Sequence, residues 1–138
     1  MAARRFIDTN ILLYSISRAP DEERKRELAI GLLASDDLAL STQVLQEFYV
    51  QATRVSRSDR LDHEIAIGLM RAWTRFPVQD ITLAIVDAAL EIRAAHGFSY
   101  WDSAIVAAAQ ALGCSELCSE DMSHGRRIGE LTIRNPFR

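Results

Sequence analysis

The stretch FIDTN at residues 6–10 places an acidic side chain directly after a short apolar segment. We predict a β-strand over residues 4–8, because adjacent bulky apolar residues are followed at once by polar ones. Residues 115–121 repeat the pattern, with a predicted strand at 115–118 and Asp121 just beyond it. Strands that end at carboxylates are typical of an α/β fold, in which functional groups gather at the carboxyl ends of the strands.

The rest of the chain alternates between strand and helix patterns. We predict further strands at 38–41 and 131–134, a short turn or strand at 77–80, and helices at 11–17, 21–34, 42–55, 63–76, 82–96 and 100–112. Helices between successive strands favour a parallel sheet with helices on both faces. No repeat, linker or low-complexity tract interrupts this order. The fold class is therefore α/β, and residues 1–138 are expected to form a single domain.

Local signals predict how the first two helices are built. Thr9 or Asn10 is suited to cap the first helix, because either side chain can accept a hydrogen bond from the main chain. In the second helix, Leu28, Ile30 and Leu32 are expected to supply the apolar face. The cap and the apolar face together predict how these helices lie against the sheet.

Composition and charge limit the possible classes of protein. Hydrophobic residues make up 49% of the chain and charged residues 25%, which is typical of a globular protein with its own core. No apolar run approaches the roughly 20 residues that span a bilayer, and the first residues do not resemble a secretory signal. We therefore expect a cytoplasmic protein without a membrane segment. The net charge of −3 argues mildly against nucleic acid, but Lys25 is the only lysine among 16 basic residues, and arginine is the better phosphate ligand.

Cysteine and aromatic residues are interpreted as structural. Cys114 and Cys118 are expected to be buried free thiols, because strand residues four apart lie too far from each other for a disulfide. No further Cys or His pair completes a zinc site. Trp73, Phe76 and Trp101 are interpreted as core or dimer contacts rather than surfaces on which bases stack.

Four carboxylates fall at strand ends or in the first turns of helices. They are Asp8, Glu47, Asp102 and Asp121. Each alone has an ordinary explanation: a helix cap, a surface Glu, or a polar turn. Glu120 is expected to face solvent. The predicted topology nevertheless brings the four together at one edge of the sheet.

Close carboxylates repel one another unless a cation neutralises them. A site made only of oxygen ligands selects a hard ion, so we predict Mg²⁺ or Mn²⁺. Such an ion polarises a phosphoryl oxygen and makes a bound water a better nucleophile. The sequence thus indicates hydrolysis of a phosphodiester bond.

The four acidic segments resemble the motifs of the PIN-domain family in order and spacing. The segments are FIDTNIL at 6–12, QEFY at 46–49, YWDSAI at 100–105 and LCSED at 117–121. The resemblance covers essentially the whole chain, and the ending LTIRNPF at 131–137 is similar to the VapC toxin branch. It implies a three-layer α/β/α fold around a short parallel sheet of about five strands.

The resemblance also implies roles for individual residues. The catalytic set would be the four acids, of which Asp8, Asp102 and Asp121 would bind the metal. Ser119 matches a position often held by a hydroxyl beside the site, and Thr9 is a second supporting residue. The sequence departs from many members at Ser123, where they carry a further Asp, and this departure puts a second, tightly held metal in doubt.

Family membership would make this protein a metal-dependent endoribonuclease and the toxin of a toxin–antitoxin pair. The implied partners are an RNA substrate, a cognate antitoxin and a second copy of the chain. Arg54 and Arg57 follow the Glu47 helix and are candidate contacts to RNA phosphates, although a solvated loop explains them equally.

Other classes fit the sequence less well. A dehalogenase-type phosphatase needs an Asp two residues after Asp8, where this chain has Asn10, and a late Lys, whereas Lys25 is early. A response-regulator receiver lacks support for similar reasons, and no glycine-rich phosphate loop is present. The alternative that stays open is a non-catalytic PIN-like module that binds RNA or protein.

Overall fold

The computed structural model describes residues 4–138, which form six α-helices and six β-strands. The strands are β1 Arg5–Ile7, β2 Leu38–Ser41, β3 Val78–Gln79, β4 Glu116–Cys118, β5 Arg127–Ile128 and β6 Leu131–Arg134. The helices are α1 Thr9–Ser15, α2 Glu23–Leu33, α3 Thr42–Ala52, α4 His63–Trp73, α5 Leu83–His96 and α6 Tyr100–Ala111, and a 3₁₀ turn at Pro20–Glu22 precedes α2. The predicted alternation of strands and helices is confirmed.

The strands form one sheet in the order β3-β2-β1-β4-β6-β5. All neighbouring pairs are parallel except β5 and β6, which are antiparallel. The expectation of about five strands, all parallel, missed β5. This strand has only two residues and is joined to β6 by a tight turn that Gly129 opens at a φ of 61°. Such a short hairpin leaves almost no alternation of apolar and polar residues to detect.

The core lies where the central strands meet the helices. Phe6 of β1, Leu40 of β2 and Leu117 of β4 are fully buried. All seven residues of α6 from position 103 to 109 are buried, as the Ala-rich sequence of this helix indicates. Small side chains let α6 lie close to its neighbours on several sides. Within residues 4–138, no helix is both long and apolar enough to cross a membrane.

The buried face of α2 agrees only in part with the predicted one: Leu32 is half-buried and packs against the core, but the other two predicted residues are exposed. Ala29 and Leu33 point into the core, whereas Leu28 and Ile30 are 40% and 46% exposed. Ala29 and Leu33, which are four positions apart, therefore form the row of side chains that packs on the core. The sequence pattern pointed to a different face because Leu28 and Ile30 are larger and more apolar than Ala29.

Candidate metal centre

A cavity of about 220 Å³ lies at the carboxyl ends of the central strands. β1 lies between β2 and β4 and is parallel to both, so the segments that follow these strands meet at one edge of the sheet. The cavity is lined by Asp8, Thr9, Asn10, Leu13, Gln43, Glu47, Gln51, Trp101, Asp102, Ile105 and Asp121. All four acids singled out in the sequence are therefore on one surface.

Asp8 is the most buried of the four acids, with only 6% of its surface exposed. It caps α1, so the expectation that Thr9 or Asn10 would be the cap was wrong by one or two residues. Its Oδ1 accepts a hydrogen bond of 2.7 Å from the Thr9 N–H, and its Oδ2 accepts one of 2.8 Å from the Ser119 hydroxyl. Burial raises the pKa of Asp8 to about 6; the two hydrogen bonds oppose this rise, and nearby carboxylates add to it.

Glu47 projects into the cavity from α3, one turn beyond the helix start that Ser41 caps. Its Oε1 accepts a hydrogen bond of 2.9 Å from the Thr9 hydroxyl. Burial raises the pKa of Glu47, the Thr9 hydrogen bond lowers it, and the charge of Asp102 raises it further. Thr9 thus contacts two acids, Asp8 through its main chain and Glu47 through its side chain, and this supports its predicted place beside the site.

Asp102 enters the cavity from the first turn of α6. It does not cap its own helix, because the Ser99 hydroxyl oxygen does so by accepting a 3.1 Å hydrogen bond from the Asp102 N–H. Burial raises the pKa of Asp102, and the negative charge of Asp121 adds to the rise. With the cap supplied by Ser99, the Asp102 carboxylate is left to face the cavity.

Asp121 is exposed and is held by a residue that the sequence reading did not assign to the site. Asn10 Nδ2 donates a 3.1 Å hydrogen bond to Asp121 Oδ2, and Asn10 Oδ1 accepts a 3.4 Å hydrogen bond from the Glu120 N–H. The Asp121 N–H donates to the Ser119 hydroxyl oxygen at 3.3 Å. Asn10 therefore fixes the loop that carries Asp121. Its place in the first turn after Asp8 is the sequence signal for this role.

Glu120 was predicted to face solvent, but its carboxylate is half-buried and bonded to two side chains. It accepts hydrogen bonds from the Tyr14 hydroxyl and, at 2.5 Å, from Lys25 Nζ. Burial raises the pKa of Glu120, but these two hydrogen bonds outweigh it and the pKa is lowered overall. Glu120 does not line the acidic cavity and instead ties α2 to the loop after β4.

The two candidate arginines lie differently with respect to the cavity. Arg57 forms an ion pair with Asp59, with 2.8 Å between Nε and Oδ1, although the two groups are not aligned for a hydrogen bond. Arg57 also lines a neighbouring cavity together with Asp121. Arg54 is exposed and does not line the acidic cavity. Only Arg57 thus approaches the acids in this structure.

The aromatic and sulfur-containing residues divide in a way that was only partly foreseen. Trp73 and Phe76 are buried, and Cys114 and Cys118 are buried free thiols, as predicted. Trp101 is 64% exposed and lines the acidic cavity. Of the two roles predicted for it, a core residue is therefore wrong, and a dimer contact stays a prediction.

The ligands at the cavity suit a hard cation, although they do not form a complete set. Within residues 4–138, no three Asp, Glu, His or Cys side chains are placed so as to hold a metal ion together. The available donors are nevertheless carboxylate and amide oxygens, which Mg²⁺ prefers, and Mg²⁺ needs only one or two carboxylates because it keeps several waters. The donor chemistry therefore fits a hydrated magnesium or manganese ion.

Comparisons with known proteins agree with this architecture. Residues 5–127 match the family model of the PIN domain. VapC20 of Mycobacterium tuberculosis, described as a sarcin–ricin loop cleaving toxin, shares 21% identity over 85% of this chain and 91% of its own, with a TM-score of 0.65. A toxin–antitoxin complex from Klebsiella pneumoniae shares 21% identity over 96% of this chain and 97% of its own, with a TM-score of 0.68.

A DNA-bound VapBC from Salmonella typhimurium is similar as well, with 19% identity over 98% of this chain and 99% of its own, and a TM-score of 0.65. No curated protein matches the sequence. At such low identity, the solved structures indicate a common fold. Because the family match spans most of the chain, this protein belongs to the PIN domain family.

Proposed function

We propose that this protein is a metal-dependent endoribonuclease that hydrolyses RNA phosphodiester bonds and acts as the toxin of a toxin–antitoxin pair. The observation that supports it most is the convergence of Asp8, Glu47, Asp102 and Asp121 on one cavity from four separate parts of the chain. A buried carboxylate beside other carboxylates opposes folding. Such a cluster is best explained by a cation that binds there.

The acids have distinct tasks in this proposal. Asp8, Asp102 and Asp121 would hold Mg²⁺ or Mn²⁺ by direct contact or through water. When bound, the ion would supply positive charge against the phosphate and would lower the pKa of water. Glu47, oriented by the Thr9 hydroxyl, accepts a proton from the attacking water.

The supporting residues keep the acids in place. Ser119 and the Thr9 main chain hold both oxygens of Asp8, so its carboxylate does not rotate freely. Asn10 holds Asp121 across the cavity mouth. This pre-arranged geometry reduces the reorganisation needed when metal and substrate bind.

The biological setting is inferred from relatives of the same fold. The similar structures from Mycobacterium and Klebsiella are described as a toxin and as a toxin–antitoxin complex, and these descriptions support a cognate antitoxin as a partner. We also propose a homodimer, as the family resemblance implies, and a cytoplasmic location. Arg54 and Arg57 are assigned to RNA phosphates, with Arg57 placed closer to the acids.

Cleavage of total RNA by the purified protein tests the proposal. Reactions would contain Mg²⁺, Mn²⁺ or EDTA and would compare wild type with Asp8→Asn and Asp102→Asn. Asp87→Asn is the matched control, because Asp87 lies exposed on α5 and does not line the cavity. We expect discrete fragments that require metal, disappear in the two site variants and persist in the control.

Two results would contradict this function. Cleavage that survives EDTA and both site variants would mean that other chemistry or another enzyme is responsible. RNA binding without cleavage under any condition would favour the non-catalytic PIN-like module instead.

A further inference from the structure

We propose that Trp101 and the glutamines beside it form a binding site for one unpaired RNA base next to the acidic cavity. This inference rests on the proposed ribonuclease function and extends it to the way the substrate is held. It arises from an exposed indole that the fold holds in place, and from a groove beside the acids in which Glu47 is the one charged lining residue within residues 4–138.

The first observation is that Trp101 is exposed but not loose. Its side chain is 64% exposed although it directly precedes Asp102 in the first turn of α6. The Tyr100 ring packs against the indole edge to face, with 5.1 Å between ring centroids. The Gln43 amide, on a largely buried side chain, donates a 3.2 Å hydrogen bond to the Trp101 carbonyl oxygen. The indole is thus presented on a fixed backbone with most of its surface free.

The second observation is a groove of about 310 Å³ beside the indole. It is lined by Gln43, Gln46, Glu47, Val50, Gln51 and Trp101. Four of these residues also line the acidic cavity, so the two spaces share one wall. Gln43, Glu47 and Gln51 stand four residues apart along α3 and therefore lie on one face of that helix. A molecule held by the acids has this groove immediately beside it.

The chemistry of the groove selects a base rather than a phosphate. Its only charged lining residue is Glu47, which repels phosphates. A flat neutral base can stack on the indole, and the amides of Gln46 and Gln51, which are not buried, can both donate to and accept from its edge.

The groove also suits a base better than a protein helix. An amphipathic helix needs a row of apolar anchors over several turns, but only Val50 and Trp101 are large apolar lining residues here. The volume lies near the lower end of the roughly 300–1,000 Å³ found for small-ligand pockets. A single base fits these limits. The proposal therefore requires that RNA be cut where a base can leave its stack, in a loop or single strand.

Base binding is measured without cleavage, so that its outcome is independent of nuclease activity. Trp73→Phe leaves Trp101 as the sole tryptophan. Trp73 is buried and lines neither the acidic cavity nor the groove. This variant would be titrated in EDTA with hexamers of each ribonucleotide and with an abasic hexamer of the same backbone. We expect saturable quenching of Trp101 fluorescence by at least one base-bearing hexamer and little by the abasic one.

Substitution separates stacking from structure. Anisotropy of a labelled hexamer would compare the wild type with Trp101→Ala and Trp101→Phe. We expect Trp101→Ala to weaken binding about 5- to 150-fold, the range for loss of one stacked base. We expect Trp101→Phe to retain most of the affinity. Leu83→Ala is the control, because Leu83 is an exposed apolar residue on α5 that lines neither the acidic cavity nor the groove.

Equal binding of abasic and base-bearing hexamers would overturn the proposal. Unchanged RNA affinity in Trp101→Ala would overturn it as well. If Trp101→Ala instead lost self-association in sedimentation and kept its RNA binding, the Trp101 surface would be a contact between copies of the chain. Failure here leaves metal-dependent cleavage intact, whereas failure of the nuclease function would abolish cleavage and leave base binding measurable.

Discussion

Asp8→Asn is expected to make the metal-free protein more stable at neutral pH, even though it removes a central residue of the proposed site. Asp8 is 6% exposed, and burial raises its pKa to about 6 from an ordinary 3.8. An acid whose pKa is higher in the folded state opposes folding when it is ionised. This unfavourable contribution is fully present above about pH 6 and disappears as the pH falls from about 6 to about 4.

The size of the effect follows from the same shift. A difference of about 2 pH units corresponds to about 3 kcal/mol in the free energy of unfolding. An asparagine can keep both contacts of Asp8: its Oδ1 accepts from the Thr9 N–H, and its Nδ2 can donate to the Ser119 oxygen. The Ser119 hydroxyl proton, however, loses the carboxylate that accepted it, and this loss offsets part of the gain. We therefore expect a net gain of about 1–2 kcal/mol.

Urea denaturation in EDTA, followed by circular dichroism at about pH 7.5 and about pH 4.5, measures this difference. Asp87→Asn makes the same chemical change on the exposed face of α5 and should shift stability at neither pH. Added Mg²⁺ should stabilise wild type and not Asp8→Asn, because a ligand that binds only the folded state raises its stability. The reasoning is refuted if Asp8→Asn is less stable than wild type at the higher pH, or if its advantage does not shrink on acidification.

Three further substitutions test separate parts of the structure. Thr9→Val removes the hydroxyl that holds Glu47 and should slow RNA cleavage about 5-fold, equivalent to about 1 kcal/mol. Thr9→Ser keeps the hydroxyl and should cleave at nearly the wild-type rate, so equal rates in the two variants would mean that the Thr9 hydroxyl does not act in the site. Phe48→Ala empties a fully buried position and should lower the free energy of unfolding by about 3–5 kcal/mol in urea, so a loss below 1 kcal/mol would contradict its core placement. Lys25→Met breaks a partly exposed ion pair with Glu120 and should change stability by less than about 1 kcal/mol without altering cleavage; a larger loss would mean that this pair anchors the loop of Asp121.

The sequence was most informative where one rule governs several residues. Apolar strands followed by carboxylates implied a parallel sheet, and a parallel sheet gathers its strand ends at one edge. That rule alone predicted that Asp8 and Asp121 lie together, although they are 113 positions apart in the sequence. Glu47 and Asp102 followed because Glu47 lies one turn into the helix after β2 and Asp102 lies in the first turn of α6, and both helices begin near the same edge.

The remaining features depended on contacts that periodicity does not encode. The face of α2 is set by Ala29, which packs closely because it is small, and not by the larger Leu28. Asn10 lies in the first turn after Asp8, but this position alone does not indicate that its amide reaches Asp121, which is 111 residues away. The pairing of Glu120 with Lys25 likewise depends on a long-range contact. The exposure of Trp101 was missed because its bulk and apolar neighbours are typical of a core residue.

The two proposed subsites depend on the same two helices, and this coupling has a consequence for substrate choice. Glu47 and Gln51 lie about one turn apart on α3, while Asp102 and Trp101 are adjacent on α6. A base that stacks on Trp101 and bonds to Gln51 would therefore contact both helices that position the acids. Binding energy from the base can then align the scissile phosphate, so that loss of the base lowers the rate of cleavage as well as affinity. An RNA that cannot release a base at this point would be bound by its phosphates and cut slowly, which makes local RNA structure a determinant of cleavage alongside sequence.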